Sequence, residues 1–258
     1  MVDFLKFVSR SVPEAVLSLV SGIVDYALPP VCGNCQEPVL NSNGICGVCW
    51  ASLTFISDPC CVCCGYPFDY FVKDDVLCGE CLRSPKSFDR CRSALSYDDH
   101  SKNMIIGFKH ADRTYLTKLF TRWIALVGKE ILMDVDFISP VPLHPRRLLA
   151  RRYNQSGLLA QKIAYSHKKV YLPDLLLRTK NTSSQGHLSL INRWKNVRTA
   201  FEINPKYADC IRNKNIILID DVYTTGATLE ACSRVLKKQK VAKINVLVLS
   251  RVLKESGS

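Results

Sequence analysis

No apolar stretch of this 258-residue chain is long enough to cross a bilayer. The best N-terminal candidate, residues 15–24, falls well short of the roughly 20 residues a spanning helix needs. No small-residue cleavage site of the kind that ends a signal peptide follows it. Acids are also in deficit, with 23 Asp and Glu against 35 Lys and Arg and a formal net charge of +12. Such a balance favours polyanionic partners: nucleic acid, nucleotides or pyrophosphates. Cysteine is nearly absent outside one window, since only Cys210 and Cys232 of the 13 lie beyond residues 32–91. Dense cysteine without an export signal argues against a secreted disulfide framework. It points to a reducing cytoplasm with metal-bound thiolates. The remaining composition, 47% hydrophobic and 22% charged, is that of a globular protein with ample core for one large domain or two modest ones.

What the window contains is spacing. Cys32 and Cys35 are followed by Cys46 and Cys49, then Cys61 and Cys64 by Cys78 and Cys81. A Cys-x2-Cys turn brings two thiolates to one ion, and two such turns close a tetrahedral site. Two structural Zn2+ ions are expected. The metals would supply the folding free energy of a segment too short and polar to bury much core. The second set has two registers, because Cys60 and Cys63 are spaced like Cys61 and Cys64. Gly65 favours the latter, as it stands where a knuckle turn wants a positive φ. Four motifs in tandem argue for structure over redox chemistry. Ahead of them, residues 1–28 read as an amphipathic helix, with Val16, Leu19, Val20, Ile23 and Ala27 at helical spacing. Pro29 and Pro30 stop it.

Further on, residues 216–219 (IILI) form a short apolar run rich in β-branched side chains, the signature of a buried parallel strand. Asp220 and Asp221 follow, then Val222, Tyr223 and a small polar turn of Thr224, Thr225, Gly226, Ala227 and Thr228, then a helix over 229–238. Strand, turn and helix in that order set a helix N-terminus at the carboxyl edge of a parallel sheet, where open α/β sheets bind ligands. Unpaired amides, the helix dipole, three hydroxyls and a glycine free to take positive φ make a phosphate cradle. The two carboxylates cannot hold that same phosphate. They suit ribose hydroxyls or a metal at the ligand's other end.

A second strand over 137–141 runs into Pro142, Leu143, His144, Pro145, Arg146 and Arg147, and then Arg151-Arg152-Tyr153-Asn154-Gln155. Arginines behind a strand's carboxyl end can fork onto a pyrophosphate. Further strands are expected over 91–97 and 243–249. Helices are expected from residue 103, over 116–132 and over 157–163. Residues 172–204 read as a loop able to close over a reacting centre, with Lys180 near its middle. His187 reads as a loop or cap histidine, and Arg251 as the start of a short tail.

The motif IILIDDVYTTGAT resembles the PRPP (phosphoribosyl pyrophosphate) loop of type I phosphoribosyltransferases. The whole order, PPVCGNC and the second cysteine set, PVPLHPRRLLARRYNQS, the segment from Arg178 through Gln185 and Arg193 to NVRTAF, and LIDDVYTTGATLEAC, is similar to the ComF family of competence proteins. The resemblance implies an α/β, phosphoribosyltransferase-like parallel-sheet domain over 88–253, preceded by a small Cys-rich double zinc ribbon over 29–85. It implies a bacterial cytoplasmic protein binding PRPP or a related phosphoribosyl ligand with Mg2+. It also implies a part in natural transformation, handling single-stranded DNA. On that mapping residues 220–228 hold PRPP and residues 142–147 form the pyrophosphate loop. Asp220, Asp221, Arg146, Arg147 and Lys180 would carry any chemistry. One departure matters: purine-salvage members of the wider superfamily carry an acid where this chain has Thr224, so purine salvage is not the natural reading.

Two functions remain open at this stage. One is pentosyl transfer from PRPP, with the pyrophosphate leaving against Arg146, Arg147 and Lys180, in DNA uptake or in nucleotide metabolism. The other is a non-catalytic module that holds single-stranded nucleic acid, with Trp50, Tyr66, Phe68 and Tyr70 able to stack on bases or to form a small ribbon core.

Overall fold

The structure, a computed structural model, describes residues 30–40, 44–72, 75–110, 113–180 and 199–253. The amphipathic helix expected over 1–28, and His187 with most of the expected closing loop, lie outside the described residues. The chain divides into two compact units, Met1–Ala51 and Ser52–Ser258, so the boundary falls between the two cysteine sets.

In the first unit an antiparallel bridge joins Val31 to Pro38 around the Cys32–Cys35 turn, and a short helix α1 (Gly47–Ser52) carries Cys49. The second unit repeats that plan with a Cys60–Pro67 bridge and helix α2 (Gly79–Arg83) carrying Cys81. It then builds a five-stranded sheet from β1 (Arg90–Ser96), β2 (Phe137–Pro140), β3 (Val170–Tyr171), β6 (Asn215–Tyr223) and β7 (Lys243–Arg251). The order is β1-β7-β6-β2-β3 and every pairing is parallel. Helices α3 (Asp99–His110), α4 (Thr117–Val127), α5 (Lys129–Met133), α6 (Pro145–Arg151), α7 (Gln155–Ser166) and α8 (Ala227–Lys238) connect the strands. The helix expected over 116–132 is broken at Gly128. A side chain there would run into Leu247, so the chain turns at close approach to the sheet.

The apolar run 216–219 is unbroken because both faces of the sheet are covered. Ile216, Leu218, Ile244, Val246 and Val248 face one core with Leu229, Cys232 and Leu236 of α8 and with Cys61, Cys64 and Cys81 of the second cysteine turn. On the other side Phe108 and Phe120 meet edge to face at 5.1 Å beneath α3 and α4. β1 is an edge strand, and its open side is used. Ala94 O accepts from Ile56 N, Thr54 O accepts from Ser96 N, and Cys63 O accepts from Cys91 N at 2.6 Å. The second cysteine turn therefore caps a sheet edge that would otherwise offer unpaired backbone groups.

The expected loop over 172–204 is not structureless where it is described. β4 (Leu176–Arg178) and β5 (Phe201–Ile203) pair antiparallel, with Arg178 opposite Phe201. Arg251, read from the sequence as the start of a tail, is the last residue of β7 and only 4% exposed.

Candidate functional site

β2 and β6 are neighbours, yet the chain leaves them in opposite directions: β2 leads through α7 to β3 on one side, β6 through α8 to β7 on the other. This is a topological switch point, and the crevice at the strands' carboxyl ends is where such sheets take ligands. Both motifs singled out in the sequence meet there. Residues 142–147 follow β2, and residues 220–228 complete β6 and open α8.

Asp220 and Asp221 sit within β6 itself, one residue pair further along the strand than the apolar run suggested. Ser156 Oγ donates to Asp220 Oδ1 at 2.9 Å, as does the Asp221 amide. Burial and the adjacent Asp221 charge push the Asp220 carboxyl up to about 7, against the pull of those two donors and of Lys109. Asp221 instead pairs with Lys109 Nζ at 3.2 Å. The two carboxylates are therefore distinct, one held by hydroxyl and amide, the other by a cation.

Gly226 takes φ +74° at the N-cap of α8, and a side chain there would collide with the Tyr223 hydroxyl. Thr225 Oγ1 accepts from the Ala227 amide at 3.4 Å. The amides of Thr228 and Leu229 lie in the first turn, where a helix supplies no acceptor. Thr224 is exposed, and Thr225 and Thr228 are half-buried. The cradle of strand end, αL glycine and helix start is the one that binds phosphate oxygens elsewhere in α/β folds.

The loop after β2 is a short helix rather than the proline-rich turn expected. His144 caps α6, its Nδ1 accepting from the Arg146 amide at 3.3 Å, with Pro145 at the first helical position. Arg146 is exposed and Arg147 half-buried. Desolvation and then the positive charges of Arg178, Arg146 and Arg147 lower the His144 pKa, which marks a local positive potential. Arg178 falls, in the sequence, within the expected loop and the family-matching segment, neither of which gives it a role in the site. The β4–β5 pair turns it toward Arg147 and Asp220, and its guanidinium lies 5.4 Å over the Phe201 ring. Lys180 is exposed and donates to Thr199 Oγ1 at 2.7 Å. A cleft of about 640 Å³ beside this loop is lined by Pro142, His144, Leu148, Tyr171, Leu177 and Arg178, among others.

The stretch Arg151 to Ser156 does something the sequence did not disclose. Tyr153 Oη donates to Phe108 O at 3.0 Å, Asn154 Nδ2 to Val141 O at 3.0 Å, and Gln155 Nε2 to Lys109 O at 2.8 Å. With Ser156 on Asp220, four consecutive side chains pin the start of α7 to the ends of α3, β2 and β6. They brace the crevice. Lys109 carries no motif, Ser156 only closes the arginine-rich one, and only the fold brings them to the carboxylates.

Each cysteine set converges. The sulfurs of Cys32, Cys35, Cys46 and Cys49 lie within 4.8 Å of one another, as do those of Cys61, Cys64, Cys78 and Cys81. Backbone amides point at the sulfurs: Cys46 N to Cys32 Sγ at 3.4 Å and Cys78 N to Cys61 Sγ at 3.3 Å. Four convergent sulfurs with amide donors fit a tetrahedral Zn2+ ion, which each set would hold as a structural site. The alternative register is spoken for elsewhere. Cys60 Sγ donates to Asp58 and Cys63 Sγ to Phe88 O. Gly65 has φ +66°. No helix among the described residues is long and apolar enough to cross a membrane.

Comparison with known proteins agrees with this layout. A double zinc ribbon domain family matches residues 23–82. Competence protein F of Haemophilus influenzae is 29% identical over 226 residues, 85% of this chain and 96% of that protein. DNA utilization protein YhgH of Escherichia coli is 28% identical over 232 residues, 88% and 99% of the two chains. Competence protein ComFC of Bacillus subtilis is 27% identical over 216 residues, 80% and 84%. Among solved structures, adenine phosphoribosyltransferase from Saccharomyces cerevisiae gives a TM-score of 0.33 at 16% identity. It covers 53% of this chain and 69% of that one. In sequence the chain is thus similar over most of its length to these competence and DNA utilization proteins, and it carries a double zinc ribbon match ahead of a parallel α/β sheet.

Proposed function

We propose that the switch point binds a PRPP-type ligand with Mg2+, and that the protein serves DNA uptake or utilisation in the cytoplasm. The observation that carries the ligand reading is the adjacency of Asp220 and Asp221 to the αL Gly226 turn at the start of α8. A 5-phosphate fits the cradle of residues 224–228, and the ribose hydroxyls fit Asp220 and Asp221. Mg2+, a hard cation, would neutralise charge between pyrophosphate and ribose, held mostly by ligand oxygens and by these carboxylates. Arg146, Arg147 and Arg178 supply the positive field for the pyrophosphate, with Lys180 at the margin. Should pentosyl transfer occur, these cations stabilise the leaving group. Thr224 offers no general base, so the acceptor we envisage needs no proton removed by this loop. The DNA role rests on the names of the relatives, competence and DNA utilization proteins.

The test is calorimetric titration of the zinc-loaded protein with PRPP and Mg2+, repeated on the Asp220→Asn/Asp221→Asn double variant. Saturable binding that the double variant lacks is expected; a wild type that gives no heat refutes the ligand reading. Melting of the single variants separates loss of binding from loss of fold. A carboxyl raised from its unfolded value of about 4 to about 7 destabilises the fold increasingly as pH rises through that window. Asp220→Asn is therefore expected to melt above wild type at pH 8, with the gap closing toward pH 4.

A second reading, single-stranded nucleic-acid binding, is favoured by exposed aromatics. Trp50 is 51%, Tyr70 67% and Phe71 89% exposed, whereas Tyr66 and Phe68 pack against the core and are not free to stack. Retention of single-stranded DNA that falls steeply between low and physiological salt would support it. Retention indifferent to salt would remove it.

A further inference from the structure

Arg251 is a buried guanidinium with no carboxylate partner among the described residues. Burying a charge costs several kcal/mol unless its surroundings compensate. Its compensation is specific. Nη1 donates to the carbonyl of Cys64, one of the sulfur-bearing residues of the second cysteine turn. The guanidinium carbon lies 5.2 Å from the Tyr66 ring on one side and 4.7 Å from the Tyr223 ring on the other. Such cation–π contacts strengthen when desolvated. Cys64 and Tyr66 flank Gly65 in the cysteine turn. Tyr223 is the last residue of β6, paired in register with Arg251, and its carbonyl accepts from the Val252 amide at 2.9 Å. The Tyr223 hydroxyl in turn lies directly under Gly226, close enough that no side chain fits there. Cysteine turn, Arg251, Tyr223 and the αL glycine of the cradle are thus stacked in contact, all within the unit Ser52–Ser258.

We infer that Arg251 is a positioning residue that transmits the state of the second zinc site to the phosphate cradle, acting through Tyr223. It does not touch the ligand. It holds the floor on which Gly226 and the first amides of α8 rest, and an intact Cys61–Cys64 turn holds Arg251. Loss of metal from the second set therefore loosens the cradle, and by reciprocity a ligand in the cradle tightens zinc retention. This inference rests on reading residues 224–228 as the phosphate site.

The experiment is hydrogen exchange by mass spectrometry on the full-length, zinc-loaded protein, comparing wild type with Arg251→Met, Arg251→Lys and Cys78→Ser. Arg251→Met and Cys78→Ser are expected to speed exchange roughly tenfold at residues 230–233, the first hydrogen-bonded amides of α8, where Glu230 N donates to Gly226 O at 2.8 Å, within the range typical of coupled sites. Amides of α4 and α7 should keep their protection. Arg251→Lys, which keeps the cation between the rings, should restore most of it. In parallel, the affinity for PRPP with Mg2+ should fall about tenfold in Arg251→Met, and a chelator should strip zinc more slowly when PRPP is present. Exchange at 230–233 that is unchanged, or that rises equally across the whole unit, overturns the inference. A wild type that fails to bind PRPP would sink the ligand reading but leave the exchange comparison to decide the link between zinc and cradle.

Discussion

The two cysteine turns share one local plan and meet different fates. In the first, Cys32 N donates to Glu37 O at 2.8 Å and Gln36 N to Cys32 O at 3.0 Å; in the second, Cys61 N donates to Tyr66 O at 2.8 Å and Gly65 N to Cys61 O at 2.9 Å. The same position of the turn goes left-handed in both, at φ +70° for Gln36 and +66° for Gly65. The residues differ because the surroundings do. Gln36 is exposed and its side chain has room, so the local cost of a left-handed L-residue is tolerated. At Gly65 the Cys91 carbonyl of β1 occupies the space a Cβ would need. The first turn is a metal knuckle in its own unit. The second is also part of an α/β core, with Cys61, Cys64 and Cys81 buried among residues of β6, β7 and α8. Identical ligand chemistry thus serves a module in one case and the coherence of the α/β fold in the other.

That contrast can be broken by experiment. The largest effect is expected from removing a sulfur. Cys64→Ser should lower the unfolding free energy of the α/β unit by about 3 kcal/mol or more, since it disables a zinc site and leaves a polar group in the core. Cys35→Ser should leave the main thermal transition within about a degree of wild type. Differential scanning calorimetry reads both, and equal losses would erase the distinction. A smaller effect, about 1–3 kcal/mol, is expected for Gly65→Ala, which combines left-handed strain with collision against Cys91 O. Gln36→Gly should be neutral or stabilising by a few tenths of a kcal/mol. A further modest effect concerns Arg92, whose Nη1 donates to Val62 O at 3.2 Å and Cys91 O at 2.9 Å and so fastens the second turn to β1. Arg92→Met should cost about 1 kcal/mol by urea denaturation.

Much of the site was legible beforehand because its signals are local. A β-branched run followed by two acids and a small turn is a strand, a pair of carboxylates and a helix start whatever surrounds it. The positive φ of Gly226 and Gly65 followed from residue type and position. The arginine loop after β2 was located correctly, but its helical form depended on His144 and Pro145 acting together as cap and first-turn residue, a weaker cue than the prolines suggested. Other readings failed for want of long-range information. Tyr153, Asn154 and Gln155 looked like neighbours of an anion site. Their partners are carbonyls of Phe108, Lys109 and Val141, which no spacing rule connects to them. Arg178 read as part of a loop until β5, more than twenty residues on, paired with its strand.

By itself the sequence determined the elements and their local chemistry: two four-sulfur sets, a parallel-sheet fold, and a glycine turn opening a helix behind paired acids. These follow from short-range periodicity, backbone preferences and ligand spacing, which act within about a dozen residues. Only the tertiary structure decided which carboxylate is held by a hydroxyl and which by Lys109, that Arg178 joins the positive cluster, and that Arg251 is buried between two tyrosines rather than starting a tail. Those outcomes depend on which strand lies beside which, and parallel pairing of β6 with β2 and β7 joins residues whose separation along the chain carries no trace in the local pattern.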